Sequence, residues 1–217
     1  MDKTPSFPDS IFANLKGLLP DLEKIYKDTH SHPELSMQEN RTAGVAAESL
    51  RAAGYEMATG VGETGVVGLL RNGEGSTVML RADMDALPVQ ELTGLPYASK
   101  IVATDSAGKS VPVMHACGHD RHVTWLIGAA TLFAKCRDAW RGTLMAVFQP
   151  AEETAQGAQA MIDDGLFQRF PKPDVILGQH VMCMPTGVVG GRIGATTSAS
   201  SGAALTARCP RPASIRS

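Results

Sequence analysis

Cys117 and His119 stand two residues apart in the segment Val113-Met-His-Ala-Cys-Gly-His-Asp-Arg-His122, directly before the apolar stretch Val123-Thr-Trp-Leu-Ile-Gly-Ala-Ala130. A thiolate and an imidazole at that spacing can reach one metal centre, and a buried structural cysteine has no need of three histidines and an aspartate beside it. Three further segments carry residues of the same chemical kind. Val147-Phe-Gln-Pro-Ala-Glu-Glu-Thr154 places Glu152 and Glu153 where an apolar run ends, and adjacent carboxylates there can divide metal ligation from proton transfer. Asp174-Val-Ile-Leu-Gly-Gln-His180 reads as a buried strand closing on an imidazole. Leu80-Arg-Ala-Asp-Met-Asp-Ala-Leu-Pro88 reads as a strand ending in Asp83 and Asp85.

Each segment alone has a plainer reading. His180 alone suits a hydrogen-bonded structural histidine. Glu152 and Glu153 alone suit the acidic first turn of a helix, and Asp83 and Asp85 suit turn formers. Cys117 alone suits an inert buried thiol. Four coincidences together are less economical than one shared metal site. A cysteine hydrolase built on Cys117 and His119 is weaker still, because it leaves Glu152, Glu153 and His180 without a purpose.

These junctions need elements to position them, and the chain alternates helical and strand patterns. Apolar residues from Ile11 to Ile25 recur at helical spacing over 12–29, with Pro20 expected to end one short helix and open another. Ser36 is a candidate N-cap for a second helix, with 43–50 as its apolar face and an end near Gly54. Strands are expected at 55–59, 65–71 and 77–81. The segment 88–113 reads as a long polar loop. A helix over 120–139, a strand over 143–149, a helix over 155–164 and a strand over 174–180 follow. That order predicts an α/β fold, a three-layer sheet with helices on both faces and its site at the carboxyl ends of strands. Gly60-Val-Gly-Glu-Thr-Gly65 joins two strands rather than opening a helix, so it is turn chemistry and not a phosphate cradle. His30 and His32 are expected to cap carbonyls or line the cleft.

Composition narrows the function classes. Twenty basic residues against twenty-two acidic ones, with no basic run, predict no nucleic-acid partner. No stretch approaches membrane-span length, and the N-terminus has no signal-peptide pattern. Cys117, Cys136, Cys183 and Cys209 fall at wide irregular spacings, which suits free thiols and a cytoplasmic location.

With these motifs in view the chain resembles the amidohydrolase branch of the M20 metallopeptidase family, which includes hippurate hydrolases, N-acyl-amino-acid deacylases and the plant indole-acetyl-amino-acid hydrolases. The resemblance runs from His30-Ser-His-Pro-Glu-Leu-Ser36 through Arg81-Ala-Asp-Met-Asp-Ala-Leu-Pro88, His115-Ala-Cys-Gly-His-Asp120, Gln149-Pro-Ala-Glu-Glu153 and Gly178-Gln-His180 to about Gly194. It implies a zinc-exopeptidase-like catalytic domain holding two divalent metal ions, with zinc, manganese, cobalt and nickel all compatible. Cys117, His119, Glu153 and His180 would be the metal ligands and Glu152 the general base. Asp85 would orient a ligating imidazole. Asp83 stands where other M20 branches carry a metal-binding histidine. Arg121 replaces a glycine usual in the branch, and would either narrow the cleft or alter its charge, or else point to solvent.

The implied reaction is hydrolysis of N-acyl-amino acids to a carboxylic acid and a free amino acid. Complete members of the branch are expected to be homodimers and run to nearly twice this length, with a lid and dimerisation domain after the region of Gly194 and one further metal-binding histidine beyond it. The chain is therefore read as residues 1–194, the N-terminal part of an incomplete catalytic domain, followed by an irregular tail over 195–217. Two functions follow from that division: a metal-dependent amidohydrolase, or an inactive metal-binding fragment of one.

Overall fold

A computed structural model describes residues 7–182, with side-chain surroundings from residue 11 onward. The expected boundary near Gly194, the tail over 195–217, Cys183 and Cys209 lie outside the described residues.

Five strands form one sheet in the order β1-β2-β6-β3-β7: β1 (Glu56–Val61), β2 (Gly65–Asn72), β3 (Thr77–Asp83), β6 (Gly142–Gln149) and β7 (Val175–Gly178). β1, β2 and β6 pair antiparallel, whereas β6, β3 and β7 run parallel. The short strands β4 (Val102–Thr104) and β5 (Ser110–Pro112) make a separate hairpin inside the segment expected to be a loop.

Helices cover both faces, as expected. On one side lie α1 (Phe7–Ser31), α2 (Asn40–Ala52) and α3 (His119–Lys135); on the other lie α4 (Gly157–Asp163) and α5 (Leu166–Arg169). Alternation along β6 shows why both faces need cover. Leu144, Ala146 and Phe148 pack with Ala46, Leu50, Val123 and Ile127 of the first layer, while Met145 and Val147 pack with Ala158, Met161 and Leu166 of the second. A strand buried on both faces reads as an uninterrupted apolar run. Each of the larger side chains, Val, Leu, Ile, Phe or Met, contributes ~1.5–3 kcal/mol through burial.

Four local expectations need correction. Helix α1 runs unbroken through Pro20, whose ring is exposed and whose lost hydrogen bond is outweighed by Leu22 and Ile25 packing on the core. Helix α2 starts at Asn40 rather than Ser36, because Glu34 supplies its cap: the Glu34 carboxylate accepts the first-turn N–H groups of Arg41 at 2.9 Å and Thr42 at 2.8 Å. Helix α4 begins two residues late, since Ala155 has φ +58° and cannot be helical. Strand β7 is exposed rather than buried, because among the described residues it pairs only with β3, at the edge of the sheet.

Candidate metal centre and active site

The side chains singled out in the sequence converge beyond the carboxyl ends of β3 and β6. Strand β3 ends at Asp83, level with Gln149 of β6, so the turns leaving both strands open on the same edge of the sheet. The N-terminus of α3 meets them there. Gly118 makes this entry possible: its φ of +84° belongs to the left-handed region, and a Cβ would come within 2.4 Å of Val181 Cγ2.

His119 is the hub. It is fully buried, and its Nδ1 lies 2.8 Å from the Asp85 carbonyl oxygen, to which it donates. Its Nε2 faces Glu152 Oε2 and Glu153 Oε1, each 3.9 Å away, and Asp83 Oδ2 at 3.7 Å. Cys117 Sγ and His180 Nε2 are 3.6 Å apart, and ligand atoms of Cys117, His119 and His180 all lie within 4.8 Å of one another. His119, Glu152 and Glu153 form a second such group, and Asp83, His119 and His122 a third. All four expected ligand residues and Glu152 are thus brought together.

Asp85 does more than expected, and does it differently. The hydrogen bond that orients His119 comes to the Asp85 backbone carbonyl, with the carboxylate alongside at 3.3 Å. The Asp85 Oδ2 atom instead accepts from Ser36 Oγ at 2.7 Å and from the Glu153 N–H at 3.0 Å. These bonds and His119 hold its carboxyl below the usual range against the opposing effect of burial.

Sequence reasoning missed His122. Its Nδ1 donates to Asp83 Oδ1 at 2.5 Å and its Nε2 accepts the Val181 N–H at 2.9 Å, so it is a neutral imidazole with both nitrogens engaged. Burial keeps its pKa low, overcoming the pull of Asp83. The signal was available: His122 is three residues after His119, on the same face of a helix. Asp83 also accepts from Arg81 at 2.7 Å, and the bonds from His122 and Arg81 hold its carboxyl well below the usual range despite burial.

Two flanking expectations resolve differently. His32 Nδ1 donates to the Asp28 carbonyl at 2.8 Å, a cap as expected, whereas His30 is buried between Asp120 Oδ2 at 2.6 Å and Glu91 Oε1 at 3.0 Å. Arg121 lies on the solvent-exposed side, one of its two expected placements. There it stacks on Tyr26, 5.1 Å from the ring centroid.

Electrostatics and unpaired atoms fit a cation. Burial disfavours a charged His119, yet Asp85, Cys117 and Asp83 overcome this and push its pKa up to about 11; the same groups would favour a metal cation. His119 Nε2 and Glu153 Oε1 are buried without a hydrogen-bond partner among the described residues. Histidine nitrogen, carboxylate oxygen and cysteine sulfur are the donor set of borderline divalent ions. His119 and His180 hold the Cys117 thiol below its ordinary pKa, toward the thiolate that ligates. Burial and Asp83 push Glu152 upward.

The described residues thus form a mixed sheet between two helical layers, with a cluster of acidic, thiol and imidazole side chains beyond the carboxyl ends of its parallel strands. The chain belongs to peptidase family M20/M25/M40, whose family model matches residues 79–212. It is 44% identical over 174 residues to a hippurate hydrolase of Campylobacter jejuni, covering 80% of this chain and 42% of that protein. It is 43% identical over 176 residues to thermostable carboxypeptidase 1 of Saccharolobus solfataricus, covering 79% of this chain and 42% of that protein. Among solved structures it resembles the Bacillus subtilis YXEP protein, a dinuclear metal-binding peptidase of the M20 family, with TM-score 0.67 and 36% identity over 76% of this chain and 44% of that one. The chain thus spans less than half the length of these relatives.

Proposed function

We propose that this chain provides the metal-binding part of an amidohydrolase that cleaves N-acyl-amino acids, of the hippurate kind, to a carboxylic acid and a free amino acid. Cys117, His119, Glu153 and His180 are its ligands for two divalent ions, drawn from zinc, manganese, cobalt and nickel. The observation that carries this reading is the pair of unpartnered buried atoms, His119 Nε2 and Glu153 Oε1, facing each other across 3.9 Å beside Cys117 and His180. Support for the substrate class comes from the hippurate hydrolase relative, and for two ions from the dinuclear M20 structure.

A divalent ion held by these residues would supply Lewis acidity, lowering the pKa of water from ~15.7 in bulk toward ~7 in the case of zinc and polarising a carbonyl. Glu152 is the general base: its raised pKa suits it to take a proton from water and return it to the departing amine, a shuttle contributing on the order of 10²–10⁴-fold. Asp85 fixes His119 through its carbonyl and Glu153 through its carboxylate, so one residue aligns both.

Elemental analysis of the wild-type chain against Cys117→Ser and His180→Ala, after loading with each of the four metals, tests the ligand set. Reduced metal content in both variants is expected, and unchanged content in both overturns it. Release of glycine from hippurate, or of the amino acid from N-acetyl-amino acids, tests the chemistry. Release that persists after the metal has been stripped overturns the metal-dependent hydrolase reading, whereas metal uptake without release favours the inactive metal-binding fragment.

A further inference from the structure

Glu39, the residue preceding α2, is completely buried. Ionised carboxylates are costly to bury, and this one has both oxygens engaged by distant parts of the chain. Its Oε2 accepts from the Thr64 hydroxyl at 2.6 Å, in the turn between β1 and β2. Its Oε1 accepts the Ala151 N–H at 2.8 Å, directly before Glu152.

Ala151 is held in an unusual conformation. Its φ of +46° is unfavourable for a residue with a Cβ and persists only where surroundings impose it. On the far side the turn is wedged against α4: a Cβ on Gly157 would meet the Pro150 carbonyl oxygen at 1.7 Å. The Glu153 N–H goes to Asp85. Two buried carboxylates, Glu39 and Asp85, thus grip the turn by its amides on either side of Glu152.

We propose that Glu39 is a positioning residue for the site: by holding the Ala151 N–H it keeps the turn in the left-handed conformation that aims Glu152 and Glu153 at His119. This rests on the reading of Glu152 and Glu153 as site groups. It adds a carboxylate that neither binds metal nor moves a proton, acting only through the backbone.

Two measurements test it on the whole chain. The first needs no metal: amide hydrogen exchange by NMR. Protection of the Ala151 amide is expected to fall on the order of 10–100-fold in Glu39→Ala while the amides of β6 keep theirs, as local rather than global opening requires. In Glu39→Gln, which retains a neutral acceptor in place of a charge-assisted one, the fall is about fivefold. Equal Ala151 protection in wild type and Glu39→Ala overturns the proposal, as does an equal loss throughout β6. If Glu39→Ala does not fold, Glu39→Gln decides, and unchanged Ala151 protection there overturns it.

The second measurement is the absorption spectrum with cobalt ion bound. Glu39→Ala is expected to keep the charge-transfer band of the Cys117 thiolate but to show the altered ligand-field bands of Glu153→Ala, with Glu39→Gln restoring the wild-type spectrum. Identical spectra in wild type and Glu39→Ala overturn the link from Glu39 to the carboxylates. Failure of the wild-type chain to take up cobalt counts against the ligand set above, and the exchange measurement still decides the role of Glu39.

Discussion

The imidazole of His122 accepts the backbone N–H of Val181 at 2.9 Å, tying helix α3 to the residue next to His180. Its other nitrogen donates to Asp83 at the end of β3, so a carboxylate, an imidazole and an amide form one chain of hydrogen bonds across the site. His122 and His180 also meet edge to face, with ring centroids 4.6 Å apart. His180 is exposed and follows a strand that lies at the edge of the sheet among the described residues, and His122 holds the backbone beside it.

His122→Ala is therefore expected to weaken metal affinity by about 10–100-fold, the usual cost of losing a group that orients a ligand. His122→Gln, which can still donate to Asp83 and accept from Val181, should recover much of it. Competition with a chromogenic chelator measures both. Equal affinity in wild type and His122→Ala would show that His180 is held by other means.

Glu152 and Glu153 are adjacent but not equivalent. Glu153→Gln is expected to lose metal, whereas Glu152→Gln should retain metal and lose ~10²–10⁴-fold in amide hydrolysis by a preparation that is active with the wild-type sequence. Metal stoichiometry read beside turnover separates the two. The reverse pattern would exchange the roles.

Most of this site was legible because its residue types are chemically rare in combination. Cys117, His119, Glu152, Glu153 and His180 could be picked out as they stood, and the apolar run of β6 placed Glu152 and Glu153 just beyond a strand end. The geometry that supports them was not legible. Glu34 caps α2 from six residues before the helix, and Glu39 reaches Ala151 across 112 positions of sequence, so neither shows in a local pattern. The left-handed Ala151 and Ala155 carry no glycine or asparagine to announce the turn. Propensity at Pro20 argued for a break that tertiary packing overrode.

His30 makes stability depend on pH. The hydrogen bond to Asp120 raises its pKa above the ordinary 6.5, burial works against this, and Glu91 adds to the rise. A folded pKa above the unfolded one gives a stabilisation that is complete below pH 6.5 and is lost as pH rises through the folded value. Thermal midpoints are expected to decline above pH 6.5 in the wild type, and less steeply in His30→Gln. Parallel profiles would show that His30 does not titrate in this range.

Phe148 belongs to the larger core cluster and is fully buried, beside its register partner Val66 and one residue before the end of β6. Phe148→Ala should cost ~3–5 kcal/mol, through lost transfer energy and the cavity left behind. Urea unfolding would register this as a lower midpoint with an unchanged slope. A loss below ~1 kcal/mol would mean that the helical layer collapses onto the gap.

The parallel register of β3 with β6 and of β3 with β7 joins segments 66 residues apart (Thr77 with Thr143) and 97 residues apart (Val78 with Val175). Contacts between such distant segments are slow to form, because the intervening chain must be closed into a loop before any pairing rewards it. Cys117 and His180 become neighbours only once both pairings exist. An ion held by both at once binds the folded chain more tightly than the unfolded one, so rising metal concentration should raise the folded fraction, adding at most RT ln(1 + [metal]/Kd) to stability. Availability of metal during synthesis then becomes a control on how much folded protein accumulates.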